Sequence, residues 1–170
     1  MTPAARTDAA IQLLAAISAD PATPADRVAS AWFRRRRYAG AKDRRSVLSL
    51  VFSSLRRRGE LDWALDVPEP TARQRTMAAL ARIEQLDADG IAERFADDRY
   101  GPGPLSADEI ALAALLAAPP SAPKPPWAEA NVPPDLAPML AASLGGDWVA
   151  ELAALAEPAP VDLRVNTLKA

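Results

Sequence analysis

Seventeen prolines punctuate this chain of 170 residues. Proline cannot donate to a helix ladder or sit in a central strand, so each one marks an element boundary, a first turn or an irregular stretch. Between them apolar residues recur every three to four positions, which predicts a series of short amphipathic helices. Ile11, Leu14 and Ile17 form the first stripe, over 3–19, and Pro21 stops it. Thr23 and Pro24 restart the chain as a cap and a first helical position, and Asp26 suits the positive end of the dipole. This second helix offers Val28, Ala31 and Trp32 to a core. It runs into Arg34, Arg35, Arg36 and Arg37 before Gly40 turns the chain.

A third helix is predicted over 41–58, with Val47, Leu48, Val51, Phe52 and Leu55 as its apolar stripe and Gly59 at the position after its C-cap. A short piece over 61–65 ends by Pro68. Thr71 and Gln74 make a T-x-x-Q capping box for a helix carrying Met77, Leu80 and Ile83. Asp89 is the expected cap of a helix over 91–96, and Ser106 with Glu109 that of a helix over 110–117. Residues 119–138 hold eight of the prolines, which predicts an extended segment pinned to a surface by Trp127. Helices over 136–144 and 147–156 follow, with Gly145 between them. The pattern then changes: Val161, Leu163 and Val165 alternate with Asp162, Arg164 and Asn166, as in a half-buried strand. A lone strand cannot satisfy its backbone, so it is read as the first strand of a following domain.

The expected class is therefore all-α. Apolar residues are 49% of the chain but aromatics only 5%, which favours helices packed through alanine and leucine. The expected division is a helical domain over 1–117, a proline-rich segment with two short helices over 118–157, and the start of another region at 158–170. There is no cysteine and no histidine. Disulfides, thiolate chemistry, imidazole bases and the usual zinc ligands are excluded, so no catalytic or metal residue is assigned. No apolar run reaches about 18 residues and the first ten residues lack an apolar signal core, so no membrane partner and a cytoplasmic location are expected.

Charge carries the functional signal. Residues 27–58 contain eleven cations against Asp43 alone, a local +10 that leaves −12 for the remainder of a chain whose net charge is −2. On an ideal third helix Arg45 and Arg56 are about 20° apart in azimuth, and Ser46, Ser49, Ser53 and Arg57 share their side. Arginine forks and serine hydroxyls match phosphate oxygens. The candidate RNA-binding residues are Arg34, Arg35, Arg36, Arg37, Lys42, Arg44, Arg45, Arg56, Arg57 and Arg58. The competing reading is a solvated cationic face paired with acids such as Asp62 or Asp66. Tyr38 and Tyr100, beside arginines at loop edges, are the candidates for stacking on bases, whereas Trp32 and Trp148 read as packing anchors. Asp97 and Asp98 read as a solvated turn.

Four stretches resemble the N-terminal region of the RsmB/Sun family of ribosomal RNA cytosine-5 methyltransferases. They are Ala39-Gly40-Ala41-Lys42-Asp43-Arg44-Arg45; Leu55-Arg56-Arg57-Arg58-Gly59-Glu60-Leu61; Arg99-Tyr100-Gly101-Pro102-Gly103-Pro104-Leu105-Ser106; and Pro158-Ala159-Pro160-Val161-Asp162-Leu163-Arg164-Val165-Asn166-Thr167-Leu168-Lys169. The resemblance implies a NusB-like helical bundle ahead of an α/β methyltransferase region, with ribosomal RNA and that catalytic domain as partners. It also implies S-adenosylmethionine as cofactor of the parent enzyme, and two catalytic cysteines there. Neither those cysteines nor a glycine-rich cofactor turn occurs in these 170 residues.

Overall fold

The computed structural model describes residues 1–96, 99–157 and 163–165, and among these every regular element is helical. The helices are α1 (Pro3–Ala19), α2 (Ala25–Arg34), α3 (Ala41–Arg56), α4 (Arg58–Leu65), α5 (Ala72–Arg82), α6 (Ala88–Arg94), α7 (Ala107–Ala117), α8 (Pro126–Glu129), α9 (Ala137–Leu144) and α10 (Trp148–Ala156). No single helix among the described residues is long and apolar enough to cross a membrane.

Side chains set several of the helix starts by satisfying the first free amides. Thr2 accepts from the Ala5 N–H ahead of Pro3. Both capping boxes form with both reciprocal bonds, Thr71 with Gln74 and Ser106 with Glu109. The cap of α6 is Asp87 and not Asp89: the Asp87 carboxylate accepts from the Gly90 N–H at 2.8 Å, so the helix starts at Ala88, earlier than its apolar pattern begins. Thr23 caps nothing either, because Pro24 itself occupies the N-cap position of α2 in an extended conformation.

The core is built around α5, where Thr76, Met77, Ala78, Ala79, Leu80 and Ala81 are all buried. A helix buried all round needs neighbours on every side, and α1, α3, α4, α6 and α7 all pack against it. The three alanines let those helices approach closely, and the Thr76 hydroxyl is satisfied by the Ala72 carbonyl at 2.8 Å. Around α5 the main cluster joins Leu13 and Leu14 of α1, Val47 and Val51 of α3, Leu61 of α4, Ile91 beside Phe95, and Leu116 of α7. In α2 the buried residues are Ala29 and Phe33, while Val28, Ala31 and Trp32 stay half-buried at its edge. Trp148 is likewise half-buried and not a core anchor.

The chain breaks at Arg57 instead of running helical to residue 58. Gly59 does not end α3; it lies inside α4 and is buried. The reason lies 72 residues downstream, where the segment of α8 packs on α4: a Cβ on Gly59 would stand 2.8 Å from the Asn131 Cα. The Asn131 side-chain carbonyl accepts the Glu60 N–H at 3.1 Å, and the buried Glu60 carboxylate pairs with Arg57 at 2.7 Å and Lys124 at 3.2 Å. The proline-rich tract is thus pinned by Ala128, Ala130 and Asn131 more than by the half-buried Trp127. Val161 and Asp162, in the alternating stretch, lie outside the described residues, and Leu163, Arg164 and Val165 are exposed without strand structure.

A second fastening is Arg73 at the start of α5. Its guanidinium donates to Glu109 at 2.6 Å and to the carbonyls of Pro102, Gly103 and Pro104, and it lies 4.6 Å from the Phe95 ring centre. These bonds hold the loop before α7 against the bundle. The hydrogen bond from Arg73, followed by those from Ser106, holds the Glu109 carboxyl below its ordinary pKa against the opposing effect of burial.

Two outcomes follow from these fastenings. Gly59→Ala forces a methyl into the Asn131 backbone and should cost about 1–3 kcal/mol, read by urea unfolding, with faster proteolysis near Lys124 as the tract loosens. Since the carboxyl of Glu109 has its pKa lowered by folding, its contribution is complete above the unfolded value of about 4.3 and is lost as pH falls through the folded one. Glu109→Gln should lower stability at pH 7 by about 1–2 kcal/mol, and lose less than the parent between pH 5 and 3. A variant with unchanged acid sensitivity would contradict the assignment.

Candidate nucleic-acid interface

The helical wheel of α3 decides which cations point outward. At 100° per residue the apolar positions Val47, Leu48, Leu50, Val51, Phe52 and Leu55 spread over about 200°, wider than one core-facing stripe. One edge must therefore face water. Val47, Leu50 and Val51 are buried, whereas Leu48, Phe52 and Leu55 are only half-buried. Lys42, Arg45, Ser49 and Arg56 occupy the opposite arc, within about 60° of one another, and all four are exposed. Arg45 and Arg56 stand about 16 Å apart along the axis.

The ten candidate cations divide into two groups. Arg34, Arg35, Arg37, Lys42 and Arg45 are exposed, and their side chains make no ion pair or hydrogen bond among the described residues. Arg56 joins them, with a single 3.4 Å contact to the Ser53 hydroxyl. The other four are committed within the chain. Arg44 sits on the apolar side of α3, donates to the Ala39 carbonyl at 2.9 Å and lies 5.7 Å from the Phe33 ring centre. Arg36 stacks on Trp32 at 3.6 Å and donates to Gln12 at 3.0 Å. Arg57 pairs with Glu60 at 2.7 Å and Arg58 with Asp62 at 3.4 Å, so acidic neighbours do account for the end of the segment. Arg75 holds Asp62 more closely, at 2.6 Å.

An open groove of about 610 Å³ runs along α3 between these charges, rimmed by Arg44, Arg45 and Arg56 and floored by Leu48 and Phe52. Such a surface can bind phosphates at its rim and rest sugars or base faces on its apolar floor. The apolar stripe reads Leu48 and Phe52 as core residues; both pack against the core but remain half-buried at its edge, short of full burial. The signal against full burial was the excessive width of the apolar arc, since a helix packed on one side cannot bury about 200°.

Tyr38 and Tyr100 are both exposed and line a single cleft with Trp32. Asp97 and Asp98 lie outside the described residues. Among the described residues no group of three histidines, cysteines, aspartates or glutamates could hold a metal ion. Comparison of the chain with protein-family models, with curated proteins and with solved structures gives no match.

Proposed function

We propose that this chain is an RNA-binding accessory domain, a NusB-like bundle acting in the cytoplasm that positions small-subunit ribosomal RNA for an S-adenosylmethionine-dependent cytosine-5 methyltransferase domain. The observation that carries the RNA reading is the set of six exposed cations, Arg34, Arg35, Arg37, Lys42, Arg45 and Arg56, left without acidic partners in a chain whose net charge is −2. Acids are plentiful elsewhere on this molecule, so neutralisation within the chain was available and is not used here. Phosphates supply what is missing, and serine hydroxyls at Ser49 and Ser53 extend the same face. The enzyme class rests on the resemblance to the RsmB/Sun family. In this reading the methyltransferase region carries the cofactor and the reacting cysteines, and the present chain orients RNA without touching the methyl group.

A second reading has its own observation. Met139 and Leu144 of α9 and Leu155 of α10 are exposed, on the two helices nearest in sequence to that following region. They suit a scaffold that packs against its own catalytic domain and contacts RNA little.

Salt separates the two. If the α3 face holds phosphates, affinity for a ribosomal RNA fragment falls with salt at a log–log slope of about −0.7 per neutralised phosphate on single strands. Arg45→Glu combined with Arg56→Glu should weaken binding and flatten the slope by about 1.4, while leaving the melting temperature nearly unchanged because exposed arginines contribute little to folding. Equal binding by parent and double variant at low salt would remove this face from the proposal. Negligible binding by the parent, with the variant failing only to dock a catalytic domain supplied in trans, would favour the scaffold.

A further inference from the structure

We propose that the cleft between α1, the loop joining α2 to α3, and the loop at 99–101 takes up unpaired RNA bases. This inference rests on the RNA-binding reading above and assigns it a base-contacting site. The cleft encloses about 930 Å³, near the upper end of the roughly 300–1,000 Å³ usual for ligand sites. Ala5, Ala9 and Gln12 of α1 help to line it together with Trp32, Tyr38 and Tyr100.

Three properties of that lining point to bases. Tyr38 and Tyr100 are 73% and 65% exposed, so much of each ring surface is open to a flat ligand. Two of the three aromatics have a cation nearby: the Arg36 guanidinium lies 3.6 Å from the Trp32 ring centre and that of Arg99 lies 5.5 Å from Tyr100. The Gln12 amide is already oriented, its nitrogen donating to Asp8 at 2.7 Å and its oxygen accepting from Arg36 at 3.0 Å. One N–H and one lone pair of that amide remain, and an adjacent donor and acceptor is what a base edge presents. The exposed Arg34, Arg35 and Arg37 immediately precede Tyr38 and bring the RNA backbone to the cleft. A duplex cannot use it, because its base faces are covered by their neighbours. The cleft therefore adds a preference for single strands to the sequence-tolerant attraction of the cationic face.

The test compares a labelled twelve-nucleotide single strand with its matched duplex on the full chain. Tyr38→Ala with Tyr100→Ala should weaken single-strand binding about tenfold or more, and change duplex binding less than about twofold. Tyr38→Phe with Tyr100→Phe keeps the rings and should bind as the parent does. Unchanged single-strand affinity in the double alanine variant would overturn the cleft, and sensitivity to Arg45→Glu with Arg56→Glu in the same assay would leave the RNA reading standing. Failure of the parent to bind either RNA would overturn both. Displacement of the strand by an equal concentration of a mononucleotide would also overturn the proposal, by making this a small-nucleotide site. If the alanine variant loses helix content, photo-crosslinking of a 4-thiouridine strand to the parent decides: adducts at Tyr38 or Tyr100 support the cleft, and adducts confined elsewhere overturn it.

Discussion

Burial of α5 on every side requires five helices to close on an alanine surface, and the rest of the arrangement follows from that crowding. Ala78, Ala79 and Ala81 contribute little apolar area individually. What they provide is close approach, so Leu13, Val51, Leu61 and Leu116 from four different helices reach one another around a thin central rod. A larger side chain at Ala78 or Ala79, both fully buried, would have no space to enter without displacing a whole helix. The N-terminal turn of α5 is fastened by charge twice: Arg73 ties it to α7 and the preceding loop, and Arg75 ties it to Asp62 of α4 at 2.6 Å. Because α3 turns one side to this rod, its opposite arc is free to carry cations.

That arc is electrostatically uncomfortable in isolation. Lys42, Arg44 and Arg45 lie in the first turn or so of α3, at the positive end of its dipole, where each cation is disfavoured by a few tenths up to about 1 kcal/mol. Asp43 offsets part of this, but it is itself shared, accepting from the chain's amino terminus at 3.2 Å and pairing with Arg6 at 3.3 Å. Arg44 escapes by turning to the Ala39 carbonyl. Lys42 and Arg45 have no such outlet among the described residues. A phosphate near this turn reverses the sign of the cost, since it interacts favourably with the dipole and with both side chains.

How much of this was readable in the sequence depends on whether a signal was local. Both S/T-x-x-E/Q capping boxes were, because a cap needs only residues three apart. So was the helical class, from the apolar period and the alanine content. Gly59 is illegible for the opposite reason: beside a basic helix end it looks like a terminator, and its actual constraint, contact with Asn131, is set by a partner 72 positions away. Asp87 and Asp89 both precede the apolar run, and only the bond from Gly90 to Asp87 distinguishes them as caps. The cationic site was visible as a cluster but not as a selection. That Arg44 turns inward could have been taken from its azimuth beside Val51 and Leu55, whereas the loss of Arg36 to Trp32 and Gln12 depends on α1 and α2 meeting.

The loop between α2 and α3 gains its importance from these selections. Trp32 and Arg36 are fixed against α1, which leaves Arg34, Arg35, Arg37 and Tyr38 projecting from a segment whose base is held. Ala39 is buried, and its carbonyl takes the Arg44 side chain, so the far end of the loop is held as well. From Tyr38 to Lys42 the chain can span at most about 14 Å. The aromatic cleft and the free face of α3 are therefore neighbours along a short, anchored segment. One RNA strand could lay phosphates along Lys42, Arg45 and Arg56 and turn bases toward Tyr38 without any helix moving, so the ordering cost of binding would fall mainly on the RNA and on exposed arginine side chains.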